Sequence, residues 1–248
     1  MIILGLDFET SGMEPELHSI TEVGAVLWST ELHAPLKSIG YLVNPINPVW
    51  DEACQNITGI TPQLCEQQGY TSENGLKQLL RWYNQAEAVC AHNGNRFDKF
   101  FLNKWCKKHD LEIEDKVWID TMTDLKMPRK AAKKLTYMAA EHGFLNPFPH
   151  RALFDVMTML VILDRYPLDE VMRMARSPML TIEAIVSYEN RELAKTGGFY
   201  WKSEGKKWLK DIKECELEEE QQEALKLGFT AQPFPLVKPF TPNRGEQQ

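Results

Sequence analysis

The 248-residue chain is poor in cysteine, with five, and none are paired by spacing. Cys54, Cys65, Cys90, Cys106 and Cys215 are odd in number and include no Cys-x-x-Cys. That pattern excludes a disulfide framework and a cysteine-paired zinc site. It reads as free, mostly buried thiols in a reducing, cytoplasmic compartment. No apolar run is long enough to span a bilayer, so no membrane is expected as a partner. The start lacks a charged leader region and a cleavage site, and Asp7 interrupts the first apolar stretch. Met1 to Leu6 therefore reads as a core strand rather than a signal peptide. Internal repeats and long low-complexity segments are missing. So is an excess of positive charge: 28 Lys and Arg stand against 35 Asp and Glu, a formal charge of −7. This argues against a strongly basic, duplex-coating protein. A nucleic-acid enzyme stays open, because carboxylates that hold metals count as negative until the metals bind.

What is present begins with the first strand. Met1 to Thr10 is an apolar run that ends in Asp7 and Glu9. Side chains alternate along a strand, so these two carboxylates share a face. Each raises the other's pKa, which is costly unless a cation sits between them. Hard cations such as Mg²⁺ and Mn²⁺ suit oxygen ligands. The alternative is a solvated acidic strand end.

Ile20 to Trp28 and Ile39 to Val43 are further β-rich runs, and with the first strand they predict an antiparallel meander. The region around Asn56-Ile57-Thr58-Gly59-Ile60-Thr61-Pro62 reads as loop. Helices are predicted over Glu73 to Asn84, Phe97 to Lys108, Leu135 to His142 and Ala152 to Leu163, with strands at Ala86 to Ala91 and Val117 to Asp120. This order predicts an α/β layer fold, a mixed sheet covered by helices. Composition shifts at Arg176-Ser177-Pro178. The expected organisation is a domain over residues 1–177 and a small α+β module over 178–248 that ends in an extended, proline-rich tail.

Three later stretches bear on Asp7 and Glu9. Asp98 starts a helix directly after a strand. His150 precedes Asp155 by five residues, and Asp155 sits in an otherwise apolar helix where a carboxylate needs partners. Five helical residues are about 140° out of phase, so His150 belongs on the loop before that helix. Asp120, at a strand end, reads more readily as a cap than as a ligand. Asp7, Glu9, Asp98 and Asp155 supply about the charge that two divalent cations need, and such a pair can clamp a phosphodiester displacement. A histidine with a reference pKa of about 6.5 suits removal of a proton from water. A surface loop histidine is the alternative.

The order Asp7-x-Glu9, Asn93-x-x-x-Phe97-Asp98, His150-x-x-x-x-Asp155 resembles the three motifs of the DnaQ-like, DEDDh-type 3′→5′ exonucleases. Asp7-Phe8-Glu9-Thr10, Ile20 to Val26, Ile57 to Thr61, His92-Asn93 and His150 to Leu153 carry the likeness through most of residues 1 to 165. Arg151 stands where the tyrosine-type sister class has its tyrosine, so the histidine type is implied. The resemblance implies a ribonuclease H-like fold with a mixed five-stranded sheet and two Mg²⁺ or Mn²⁺ ions. Asp7, Glu9, Asp98 and Asp155 would be ligands and His150 the general base. It implies that Thr10 and the backbone near Ser11 and Gly12 meet the 3′ nucleotide. Ile60 would pack on terminal bases, and His92 and Asn93 would line the same site.

The expected function is a metal-dependent 3′→5′ exodeoxyribonuclease that releases nucleoside 5′-monophosphates. Its expected partner is a single-stranded or 3′-ended nucleic acid, with DNA favoured over RNA. An exoribonuclease, or a non-catalytic nucleic-acid-binding or polymerase-associated module, is the rival. No feature identifies a polymerase or other protein partner. Lys126, Arg129, Lys130, Lys133 and Lys134 form a basic run that is either a phosphate contact or a solvated loop. Phe199, Tyr200, Trp201 and Trp208, interleaved with lysines, suit single-strand stacking. A small aromatic core with lysines outside is the preferred reading.

Overall fold

The computed structural model describes residues 1–128 and 133–234. The chain divides into two compact units, Met1–Arg176 and Ser177–Gln248.

The first unit is built on β1 (Ile2–Thr10), β2 (Ile20–Ser29) and β3 (Ala34–Asn44), the antiparallel meander that the sequence predicts. Two short helices follow, α1 (Glu52–Thr58) and α2 (Pro62–Gln68). The sequence reads this stretch as loop. It is helical because Asp51 and Thr61 cap the two starts with side-chain hydrogen bonds, and because Pro62 fits a first helical turn. Next come β4 (Tyr70–Thr71), α3 (Ser72–Tyr83), β5 (Ala88–Ala91), α4 (Asp98–Lys108), β6 (Val117–Asp120), α5 (Leu135–Glu141), α6 (Ala152–Leu163) and α7 (Leu168–Arg176). The sheet order is β4-β3-β2-β1-β5-β6, with β5 and β6 parallel to β1. The expected five-strand mixed sheet is present, extended by the two-residue β4 at one edge.

β1 is the central strand, and its alternation builds both layers. Leu4, Leu6 and Phe8 pack with Leu76, Leu79 and Tyr83 of α3 and Phe101, Leu102 and Trp105 of α4. Ile3 packs on the other face with Val156, Met159 and Leu160 of α6. Gly5 lets α6 approach: a Cβ there would lie 2.6 Å from Leu160 Cδ1. The same face then runs on to Asp7 and Glu9. α6 is apolar nearly all round because it is buried.

The second unit has a four-stranded antiparallel sheet, ordered β10-β7-β9-β8. Its elements are β7 (Met179–Ile185), α8 (Arg191–Thr196), β8 (Tyr200–Lys202), β9 (Lys207–Lys213), α9 (Leu217–Leu227) and β10 (Thr230–Pro233). Ile182, Phe199, Ile212, Ala224 and Phe229 form its core. The proline-rich tail beyond Phe234 lies outside the described residues, as do Arg129 and Lys130 of the basic run. No helix among the described residues is long and apolar enough to cross a membrane. All five cysteines are free thiols.

Candidate active site

The site forms where β1 outruns its neighbour. β1 and β5 pair only over Ile3–Gly5, so Phe8 finds no strand partner on that side. Its N–H donates instead to Asp98 Oδ1 at 3.1 Å. Asp98 opens α4 and is buried. One hydrogen bond therefore ties the second motif to the backbone between Asp7 and Glu9.

Asp7 stands opposite Gly24 of β2, and Glu9 stands opposite Glu22. The start of α6 lies against this row. A Cβ on Gly24 would come 2.2 Å from the Ala152 carbonyl carbon, so only glycine admits the helix here. Glu22, buried at 4% exposure, fixes that start. Its Oε1 accepts from Arg151 Nη2 at 2.6 Å and its Oε2 from the Ala152 N–H at 3.2 Å. A carboxylate at a helix N-terminus meets unpaired N–H groups and the positive end of the dipole. Glu22→Ala is expected to cost roughly 2–3 kcal/mol in a denaturant melt, as charged hydrogen bonds are lost. It should also lower kcat, because α6 carries Asp155.

Asp155 is half-buried at the first turn of α6. It accepts from Asn146 Nδ2 at 2.5 Å and from the His150 N–H at 2.9 Å. The carboxylate thus organises the loop that presents His150. His150 is exposed and left-handed, with φ 63°. Such a backbone costs free energy in a non-glycine residue and clusters at functional sites. Asn93 is the second left-handed residue lining the cleft, also at φ 63°. Asp120 explains it: its carboxylate accepts from the N–H groups of Asn93 (2.8 Å), Asn95 (3.2 Å) and Met122 (3.0 Å). Asp120 is therefore a loop clamp. It is not the helix cap that the sequence favours and does not line the cleft, though its charge adds to the rise at Asp98. His92 is held through Nδ1 to Thr121 Oγ1 at 2.9 Å, and burial pushes its pKa down.

The acidic groups strain against one another. Burial first, then the charges of Asp98, Glu9 and Asp155, push the Asp7 carboxyl well above its usual range. Burial, then Asp155 and Glu22, push Glu9 to about 8. Burial raises Asp98 to about 7, against the hydrogen bond from Phe8. Asp155 is also raised, chiefly by burial. Among the described residues, Glu9, His150 and Asp155 each offer a ligand atom, all within 4.8 Å of one another. Crowded, largely buried carboxyls with oxygen donors fit divalent metal, which removes the repulsion that raises them.

A cleft of about 570 Å³ opens over these groups. Asp7, Glu9, Thr10, His92, Asn93, Asp98, His150 and Asp155 all line it. Ser11, Gly12 and Ile60 do not. Ser11 is buried, its N–H donating to the Ser19 carbonyl at 2.9 Å and its Oγ accepting from the Ser19 N–H at 3.1 Å. Gly12 is covered by the His18 ring, 2.1 Å from where its Cβ would be. Gly59, at φ 70°, ends α1 and turns Ile60 into the core at 1% exposure. The apolar rim is supplied instead by Ile57, 59% exposed, and Met13, 65% exposed. Lys133, Lys134, Leu135 and Thr136 form part of the wall. Glu22, Asn146 and Ile57 are the working residues that sequence reasoning does not single out. Glu22 and Ile57 stand inside the family-like stretches, and Asn146 carries no local signal.

Residues 4–163 match the family described as exonuclease, and residues 180–234 match a family described only as a domain of unknown function. The PolC-type DNA polymerase III of Thermotoga petrophila and that of Thermotoga maritima are each 30% identical over 162 residues, 65% of this chain and 11% of theirs. The chain therefore spans about a tenth of these relatives. E. coli exonuclease I in complex with a dA16 oligonucleotide has a TM-score of 0.61 at 15% identity, covering 75% of this chain and 48% of that one. The nuclease domain of 3′hExo, a DEDDh family member bound to rAMP, has a TM-score of 0.56 at 26% identity, covering 68% and 92%. The ribonuclease H-like sheet, the motif order and the family match agree, and the chain belongs to the DnaQ-like, DEDDh-type exonuclease family.

Proposed function

We propose that the chain is a divalent-metal-dependent 3′→5′ exodeoxyribonuclease that releases nucleoside 5′-monophosphates from DNA, in repair, replication or end processing. The observation that carries this reading is the convergence of Asp7, Glu9, Asp98, Asp155 and His150 on one cleft. Asp7, Glu9, Asp98 and Asp155 would hold two Mg²⁺ or Mn²⁺ ions. When bound, the cations polarise the scissile phosphate and stabilise the attacking and leaving oxygens. His150, exposed on its loop beside Glu9 and Asp155, takes the proton from the attacking water. Ile57 and Met13 offer apolar surface to the terminal bases, and Lys133 and Lys134 stand where a phosphate backbone can approach. The 30% identity to DNA polymerase III supports DNA as the substrate, and supports a polymerase-associated setting.

A second reading, a 3′→5′ exoribonuclease, is favoured by the 26% identity to 3′hExo, whose nuclease domain binds rAMP. Matched 5′-labelled DNA and RNA ladders decide between them. The reading expects faster shortening of DNA, and an RNA preference would overturn it in favour of the second.

Metal binding has its own signature. A cation at about 100 times its Kd stabilises by roughly 2.7 kcal/mol, which is about 5–10 °C in Tm for a unit of this size. Titration with MgCl₂ or MnCl₂ in a thermal melt should show this rise in the wild type. Asp7→Asn should show little of it.

A further inference from the structure

The second unit carries a groove that the exonuclease reading leaves without a role. Sequence reasoning favours an aromatic core with lysines outside, and the structure divides that set. Phe199 is buried, edge-on to Phe229 at 5.6 Å. Tyr200 and Trp201 are 47% and 49% exposed, and Tyr188, just beyond β7, is 76% exposed. These three rings line a cavity of about 910 Å³ between the end of β7, the start of α8 and the β8–β9 hairpin. Trp201 lies 5.4 Å from Trp208, its cross-strand partner. The Arg191 guanidinium lies 4.4 Å from the centre of the Tyr188 ring.

The lining is basic in an acidic chain. Arg191, Lys195, Lys206 and Lys207 stand against Glu183 and Glu192, where the whole chain is at −7. Lys207 is held by both oxygens of Glu183 at 2.7 Å, and Lys195 lies 3.8 Å from Glu192. Arg191 Nη1 donates to the Tyr188 carbonyl at 2.9 Å and its charge acts on Glu189, but neither Arg191 nor Lys206 makes an ion pair among the described residues. Exposed rings are costly to leave in water, and cations beside them that no carboxylate neutralises in an ion pair attract anions. A ligand that offers flat apolar faces at one spacing and negative charge at another satisfies both.

We propose that this groove binds single-stranded nucleic acid, with bases stacked on Tyr188, Tyr200 and Trp201 and phosphates on Arg191 and Lys206. Stacking of this kind tolerates any base, as an enzyme that removes nucleotides of every type requires. The inference rests on the nuclease reading for its ligand class, and adds a second contact for the same class of strand.

The test uses the full chain. Binding of 5′-fluorescein-labelled (dT)20 and (rU)20 is followed by anisotropy in EDTA, which stops cleavage. Tyr188→Ala with Trp201→Ala should weaken binding of at least one of them by about five- to a hundred-fold, the range that a stacked base is worth. Trp201→Phe should retain most of it. Lys206→Glu, an exposed change outside the core, should weaken binding and flatten its salt dependence by roughly one phosphate contact. It carries the test alone if the double variant fails to fold. Cleavage of a dinucleotide should be unchanged in every groove variant. Unchanged oligonucleotide affinity in the folded groove variants overturns the proposal and gives the patch to a protein partner. Should the wild type cleave neither the dinucleotide nor the long strand, the nuclease reading fails, and the groove is then judged on binding alone.

Discussion

Asp7→Asn is expected to abolish turnover while making the metal-free protein more stable. Asp7 lies on the central strand, its carboxyl crowded by Glu9, Asp98 and Asp155. On the proposed reading, removing its charge takes away a metal ligand. Lewis-acid stabilisation worth several kcal/mol goes with it, so kcat should fall by at least about 10³-fold. In EDTA the same change relieves repulsion in a buried cluster, and Tm should rise, at roughly 2–4 °C for each kcal/mol gained. The pH dependence has a defined sign. A carboxyl whose folded pKa is raised binds more protons in the native state than in the unfolded chain between about pH 4 and its folded value. Its contribution to stability therefore declines as pH rises through that window. Glu9 titrates near 8 and Asp98 near 7, and Asp7 is also well raised. The Tm advantage of Asp7→Asn over the wild type in EDTA should thus widen from pH 5 to pH 8. Excess Mg²⁺ should close or reverse it. A variant that is less stable in EDTA at pH 8 would contradict the crowded-carboxylate account.

His150→Ala should separate proton transfer from metal binding. His150 reaches the cleft from a loop held by its own N–H on Asp155, and the alanine variant keeps that backbone bond. Loss of a general base typically costs about 10²–10⁴-fold, and kcat should drop by that amount. The Mg²⁺-induced rise in Tm should persist, because the four carboxylates stay in place. The loss should be smaller at high pH, where hydroxide replaces the missing base. A variant with full activity would remove His150 from the chemistry. One that loses both activity and the metal response would make it a ligand, as its place beside Glu9 and Asp155 also permits.

Much of this site can be read in the sequence because it is built from strand and helix starts. Alternation along β1 puts Asp7 and Glu9 on one face, and the break from proline loop to apolar helix separates His150 from Asp155. The residues that escape such reading depend on tertiary pairing. Glu22 matters because β2 sets it beside the first turn of α6, some 130 residues later in the chain. Asn146 matters because its loop folds back on Asp155. The residues along the cleft rim escape for a different reason. Ile57 and Ile60 are alike in type, and only the left-handed Gly59 decides which one faces the cleft. Ser11 and Gly12 sit in a turn that closes on Ser19 and His18, leaving Thr10 at the surface of the cleft. α7 escapes too, although Pro167 with Asp169 and Glu170 in the first turn marks its start and Val171, Met172 and Met174 form its buried face.

The central claim is that these carboxylates hold metal for hydrolysis from a 3′ end. The most direct measurement is incubation of a 5′-labelled single-stranded DNA with the full chain, with product lengths and the released nucleotide both identified. The account predicts stepwise shortening from the 3′ end in Mg²⁺ or Mn²⁺, release of nucleoside 5′-monophosphates, and no reaction with EDTA or with Asp7→Asn. Equal activity in Asp7→Asn, cleavage in EDTA, or no cleavage of DNA or RNA by the wild type at saturating Mn²⁺ would contradict it.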